Sequence, residues 1–401
     1  MTAADPIDRL SPLHDEHVAL GAAMTSFGGW LMPLRYDSDL AEHHAVRKAA
    51  GLFDLSHMGE IDVVGPQAAV ALDHALIGNL SAVGVGRARY TMIVADDGTV
   101  IDDLVVYRLE PERFMVVANA SNAPVVLGEL QERTAGYDAD VVDRTALALI
   151  AVQGPRAEEI LLGLVGDDAA DDVRGLRYYA AVPVTVAGVE TLLARTGYTG
   201  EDGFELFVEP EHAVALWRAL LEAGTPLGLV PAGLASRDSL RLEAGMPLYG
   251  HELSRDVTPY DAGLGRTVKL DKVGPDGEPL DFVGRAALEY RASRDARAEL
   301  DGDAPARVLV GLQGLGRRPA RAGYAVVVPG VPAPGEEGAD GEPTVVGRVT
   351  SGAPSPTLGH PIALAYVDAV HAEPGTELGV DVRGRTEPVR VVPLPFYRRA
   401  N

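Results

Sequence analysis

The stretch RYTMIVADDGTVIDDLVVYRLEPERFMVVAN, residues 89–119, limits the possible folds more than any other part of the chain. Strand-length runs rich in Val, Ile, Tyr and Phe are separated only by the turn sequences ADDG (95–98) and EPER (110–113). Turns that short join antiparallel strands, because a parallel neighbour needs a crossover. In the middle run, TVIDDLVVY, two adjacent aspartates interrupt an apolar pattern. Strand interiors select against aspartate, and a buried charge without a partner is costly. Neighbouring strand residues point to opposite faces, so Asp102 and Asp103 are not expected to form a dyad, and at most one enters a given site.

The first 290 residues alternate strand-like and helix-like segments. Ser38 or Asp39 is placed to cap a helix running to Ala50, with Gly51 as the stop. Pro155 suits the first position of a helix carrying Ala157, Ile160, Leu161 and Leu164. The segment EHAVALWRALLEAG places Val214, Trp217 and Leu221 on one helical face. Residues 291–305 are charged and Ala-rich and read as a linker. Beyond them, short strands are expected at 307–313, 324–328, 344–350, 362–367, 378–382 and 388–393, the spacing of a small β-barrel or sandwich. PGVPAPGEEGADGEP (329–343) reads as a low-complexity hairpin tip. The expectation is an α+β chain of antiparallel sheets and helices, divided as 1–290, a linker at 291–305 and a barrel at 306–398.

Composition removes several function classes. With no cysteine among 401 residues, thiolate nucleophiles, Fe–S clusters and Cys-type zinc sites are excluded. A net charge of -23 argues against nucleic acid as a partner. No apolar run approaches the ~20 residues of a membrane span. The start lacks a basic region followed by an apolar one, so a cytoplasmic location is expected. Lysine occurs only at 48, 269 and 272, none in a setting that suggests a Schiff base. His14 with His17, and His43 with His44, read as surface or core histidines rather than metal ligands, and no metal is expected. HExxH, phosphate-loop, dinucleotide and GxSxG patterns are missing.

Three places hold polar groups in apolar or glycine-rich settings. Ser56, His57 and Met58 interrupt a strand-like run in LFDLSHMGEIDVVG. In RTGYTGEDGFELFV the glycines at 197, 200 and 203 allow tight turns, and Glu205 follows between Phe204 and Leu206. A strand carboxylate there needs a donor, unless it lies on an edge facing water. Arg237 and Arg241 lie one helical turn apart, with Asp238 and Glu243 as ordinary surface partners.

In this order the motifs resemble the T-protein family of the glycine cleavage system, folate-dependent aminomethyltransferases. The resemblance runs almost end to end, through SPLHDEHVALGAAMTSFGGWLMPLRY, EHHAVRKAAGLFDLSHMGEI, YTMIVADDGTVIDDLVVY, RTGYTGEDGFEL, GLASRDSLRLEAGMPLYGHEL and PLPFYR. Departures are His14, where the family usually has an aromatic residue, a longer 329–343 insert and an extended linker. The resemblance implies two packed folate-binding lobes plus a C-terminal barrel. It also implies a reaction in which lipoylated H-protein delivers an aminomethyl group and tetrahydrofolate takes the one-carbon unit. On the matching positions, Asp103 is implied to be the catalytic carboxylate, either general base or electrostatic stabiliser of a cationic intermediate. Met58, Tyr90, Asn119, Tyr198, Glu205, Arg237, Tyr397 and Arg398 are implied to contact folate. Glu205 would accept from the pterin amide and amine, and the C-terminal tail would reach the p-aminobenzoyl-glutamate end.

Rival readings are another folate-dependent one-carbon transferase or demethylase on the same fold, a folate domain of the kind fused to flavin dehydrogenases, and a non-enzymatic folate-binding protein of Fe–S maintenance. The missing dinucleotide fingerprint weighs against the second, and the missing cysteine against the third.

Overall fold

The computed structural model describes residues 8–274, 277–301, 307–330 and 341–399. The chain divides into two compact units. The first comprises Met1–Ala95, Ile101–Asp238 and Lys269–Arg285; the second comprises Asp96–Val100, Ser239–Val268 and Ala286–Asn401.

The first unit contains two large sheets. One orders its strands Arg87–Val94, Val100–Glu110, Arg113–Ala118, Gly59–Val64 and Asp140–Asp143. The other runs Ala181–Val186, Val189–Ala194, Gly203–Val208, Ala148–Gln153, Ala50–Asp54 and Leu229–Pro231. Alternation gives each sheet one helix-covered face. Leu104, Val106, Val116, Ile61 and Val63 pack with Leu72, Val126 and Leu130 of the helices Ala68–Ala75 and Ala123–Thr134. Leu52, Ile150, Val152, Phe204 and Leu206 pack with Ile160, Leu216, Trp217 and Leu220 of the helices Ala157–Leu162 and Pro210–Gly224. The other faces look at one another: the Tyr107 ring meets the Phe207 ring edge-on, with centroids 5.7 Å apart. Burying apolar side chains on the outer faces stabilises at about 25 cal/mol per Å² and leaves the inner faces for polar groups.

The chain passes from one sheet to the other at Leu55–Met58. Ser56 N donates to Asp54 Oδ1 (2.9 Å), and Met58 N donates to Leu55 O (2.9 Å). The interrupted strand pattern therefore marks a crossing between sheets, not a bulge in one strand. Beneath it lies a buried network in which Ser11 donates to Asp54, His17 Nε2 contacts Asp54 Oδ2 (2.7 Å), and Tyr36 OH contacts His17 Nδ1 (2.9 Å). His17 is thus a core histidine. Among the described residues no cluster of three or more His, Cys, Asp or Glu could hold a metal ion, and no helix is long and apolar enough to cross a membrane.

The helix Asp39–Lys48 is capped by Ser38, whose hydroxyl accepts from Ala41 N. It stops two residues before Ala50, because Ala50–Asp54 is already strand. Gly51 is no stop signal: a Cβ there would lie 2.5 Å from Val46 Cγ2. Pro155 likewise precedes the helix Ala157–Leu162 instead of opening it.

One buried cation braces this unit. Lys272, only 2% exposed, donates through Nζ to the carbonyls of Asp73, Leu76 (2.7 Å) and Gly78 (3.0 Å) and sits 4.0 Å from the centroid of the Phe282 ring. It thereby satisfies acceptors at the end of the helix Ala68–Ala75, where backbone carbonyls have no helical partner.

The second unit contains a closed six-stranded barrel, ordered Arg307–Gly314, Pro361–Asp368, Gly341–Pro354, Ala325–Gly330, Glu377–Asp381 and Thr386–Val392. Val310, Leu312, Val326, Val349, Ala365 and Val391 fill it. All six expected strands are present, and the barrel closes because the last strand pairs with the first, Gly311 opposite Val392. Most of the expected hairpin tip, 331–340, lies outside the described residues, as do 302–306 of the stretch read as a linker. That stretch is helical up to its boundary, in Arg285–Asp301.

Candidate active site

The two inner sheet faces define the site. Cross-strand register pairs Val105 with Val117 and Tyr107 with Met115, and pairs Glu60 with Val117. Asp103, Val105 and Tyr107 therefore share one face with Glu60. On the facing sheet, Glu205 lies in a row with Ala194, Ala151 and Phe53. Its strand lies between two others, so the edge-strand alternative for Glu205 is ruled out. Two small residues, Ala194 and Ala151, flank the carboxylate across the neighbouring strands.

Asp103 is held by neutral donors. Tyr90 OH donates to Oδ2 (3.0 Å), and Asn119 Nδ2 donates to Oδ1 (2.8 Å). Burial pushes the Asp103 carboxyl above its usual range. Burial and the neighbouring Asp103 charge keep Tyr90 firmly protonated, so it remains a donor.

Glu205 accepts from Thr196 Oγ1 and, at 3.5 Å, from Tyr107 OH, both on Oε2. Burial raises its pKa; Thr196, the Arg237 charge and Tyr107 act in the opposite direction. Arg237, on the helix Leu234–Glu243, stacks over the Tyr198 ring with Cζ 4.8 Å from the centroid. Among the described residues its buried Nη1 has no hydrogen-bond partner, and neither has Nδ1 of His57. Burial lowers the His57 imidazole to about 4, opposed by Asp54 and reinforced by Arg237, so it is neutral at physiological pH. Buried polar atoms are almost always bonded, so an orphaned guanidinium nitrogen beside a carboxylate indicates a place for a polar ligand.

Met58 follows His57 at the sheet crossing and is half-buried. Asp103, Tyr90, Asn119, Met58, Tyr198, Glu205 and Arg237 are thus all carried by the first unit. Tyr397 and Arg398 belong to the second, where Tyr397 N donates to Glu243 O (2.8 Å). Arg241 also belongs to the second unit. It is buried, bonded to Glu252 (2.9 Å) and Ser351 Oγ (2.8 Å), and so does not lie on the surface as its spacing suggested.

The glycine reading needs one revision. Only Gly200 has positive φ in that motif (+81°). Gly197 and Gly203 are needed because a Cβ would fall 2.0 and 2.4 Å from the Gln153 carboxamide. Sequence reasoning also missed Tyr107, Thr196, Asn122 and Tyr179. Tyr179 lies in the electrostatic field of both Glu205 and Asp103, and its φ of 57° is a local signal that only the backbone reveals.

Comparison with known proteins agrees with this architecture. Residues 13–272 match the GCVT N-terminal domain and 307–398 the glycine cleavage T-protein C-terminal barrel domain. These two domains in this order define the glycine cleavage T-protein family, and the chain belongs to it. Curated aminomethyltransferases of Streptomyces coelicolor and Streptomyces avermitilis are 61% and 62% identical, over 98% and 96% of both chains in each case. The crystal structure of the glycine cleavage system aminomethyltransferase T from Bartonella henselae superposes with a TM-score of 0.81 at 34% identity, covering 97% of this chain and 98% of that one.

Proposed function

We propose that this aminomethyltransferase takes an aminomethyl group from the dihydrolipoyl arm of H-protein and passes its one-carbon unit to tetrahydrofolate. The products are 5,10-methylenetetrahydrofolate, ammonia and the reduced arm. The observation that carries this reading is the facing pair of buried carboxyl groups, Asp103 on one sheet and Glu205 on the other, with Arg237 Nη1 unpartnered beside Glu205.

In this reading Glu205 accepts from the pterin amide and amine, a pair of parallel donors that suits a carboxylate. Arg237, stacked on Tyr198, offers Nη1 to the pterin carbonyl. Met58 and Tyr90 pack on the rings, and Asn119 supplies polar contacts. Asp103 takes the proton released as the folate amine is alkylated, because a raised pKa brings a carboxylate toward the operating pH and favours base catalysis. Tyr397 and Arg398 serve the glutamate end. The folate-binding part is residues 1–290, the linker 291–305 and the barrel 306–398. The test is a coupled assay of glycine-dependent methylenetetrahydrofolate formation with the other cleavage-system components present. Normal flux without this chain would refute it.

A further inference from the structure

We propose that Asp102 is a positioning residue for Asp103, the two carboxyl groups being tied through the Asn119 carboxamide so that they titrate as a pair. The proposal rests on the reading of Asp103 as the catalytic carboxylate.

The two side chains leave opposite faces of the strand, yet Asn119 reaches both. Its Nδ2 donates to Asp102 Oδ1 and to Asp103 Oδ1, each at 2.8 Å. An amide nitrogen carries two hydrogens, so each carboxyl group receives one. With both oxygens bonded to the same nitrogen, they lie within about 6 Å of each other, close enough for like charges to shift one another's titration. Asn119 escapes strict alternation because it lies just past the strand Arg113–Ala118, where the chain turns into the helix Ala123–Thr134.

Asp102 is fully buried, and its other contacts are Asn119 N on Oδ2 (2.9 Å) and Asn122 Nδ2 on Oδ1 (2.8 Å). Asp103 meets Tyr90 from the strand Arg87–Val94, and Tyr179 feels its charge. Among the described residues every donor to the pair is neutral, so none bonded to it offsets two negative charges. Burial, followed by the Asp103 charge, pushes Asp102 up to about 7, in agreement with the geometry. The pair resists holding two charges at once: Asp103 ionises first and Asp102 only against that charge, so the state of Asp102 sets the field in which Asp103 acts as acceptor.

The experiment measures kcat/KM against pH for the full chain with aminomethyl-loaded H-protein and tetrahydrofolate. Wild type should show two inflections, a lower one as Asp103 ionises and a higher one as Asp102 ionises against that charge; Asp102→Asn should lose the higher inflection and keep the lower. A purely structural role would lower the plateau without changing the shape of the profile, and a wild-type profile with no higher inflection, or one that persists in Asp102→Asn, overturns the pairing. Asp103→Asn run alongside keeps the two readings distinct. If Asp103→Asn abolishes turnover while the Asp102→Asn profile has the same shape as wild type, only the pairing fails; if Asp103→Asn turns over like wild type, the catalytic reading fails and the proposal with it. Should Asp102→Asn not fold, carboxyl 13C NMR of Asp102 in wild type and in Asp103→Asn decides. A fall of about one unit in the variant supports the coupling, and an unmoved transition overturns it.

Discussion

Exchanging Glu205 for glutamine tests the ligand site most directly. In the native chain Thr196 and Tyr107 both donate to Oε2, which leaves Oε1 for a ligand. In Glu205→Gln the same two donors favour the amide oxygen inward, so the NH2 group faces the pterin donors. One charge-assisted bond, worth about 1.5–3 kcal/mol, is lost, and a ligand N–H is left facing another donor at about 1–3 kcal/mol more. Taking about 3 kcal/mol for the sum gives roughly a hundredfold weaker tetrahydrofolate binding. The proton balance supplies a second readout. Burial raises the Glu205 pKa in the free protein, and in the proposed pose folate would select the ionised form. Wild-type affinity should therefore fall as pH drops through a value above the usual carboxylate range, with a proton released on binding in that window. Glu205→Gln should lose that component. Titration calorimetry at several pH values measures both, and a dissociation constant within threefold of wild type, with an unchanged pH dependence, would refute the assignment.

Asp103→Asn should retain tetrahydrofolate binding and lower turnover by at least about tenfold, since proton transfer typically contributes 10²–10⁴-fold; single-turnover kinetics check this. Glu60 is buried, both its carboxyl oxygens lack a hydrogen-bond partner among the described residues, and burial raises its pKa well above the usual range. Its folded pKa exceeds the unfolded one, so it penalises folding increasingly as pH rises above the unfolded value. Glu60→Met should therefore stabilise by about 1 kcal/mol or more near pH 8 and by less near pH 4, measured as urea midpoints. In the barrel, Arg318, Arg321, Arg383 and Arg385 line a hollow of about 470 Å³, in a chain of net charge -23. Neutralising Arg317, Arg318 and Arg321 together should raise the KM for H-protein, leave that for tetrahydrofolate unchanged and reduce the salt sensitivity of docking; wild-type H-protein kinetics at low salt would place docking elsewhere.

The strands were legible because alternation and short turns are local signals, and the cap at Ser38 was legible for the same reason. The helix end at Lys48 was not, because Gly51 answers to Val46 packing across a turn and not to a left-handed backbone. Within the site, Asp103, Glu205 and Arg237 stood out as polar groups in apolar or motif settings. Tyr107 and Thr196 did not: a tyrosine in a strand and a threonine near a glycine turn look ordinary until two sheets face each other. Thr196 is 89 residues from Tyr107 in sequence and 2.9 Å from it in space. Asp102 shows the limit of alternation itself. Its direction was inferred correctly, but a residue just beyond a neighbouring strand's end could still join it to Asp103.

The carbonyl cage around Lys272 gives the protein an internal reporter. Lys48 is exposed and Lys269 half-exposed, whereas Lys272 is enclosed by three carbonyls and a phenyl face. With only three lysines in the chain, amine-reactive reagents meet side chains of very different accessibility. Acylation of Lys48 and Lys269 proceeds on the native protein, whereas Lys272 reacts only in molecules whose helix end has come apart from the 269–285 segment. Its labelling rate, read by peptide mass spectrometry, should report how often this part of the first unit opens, without a denaturant and without an engineered probe.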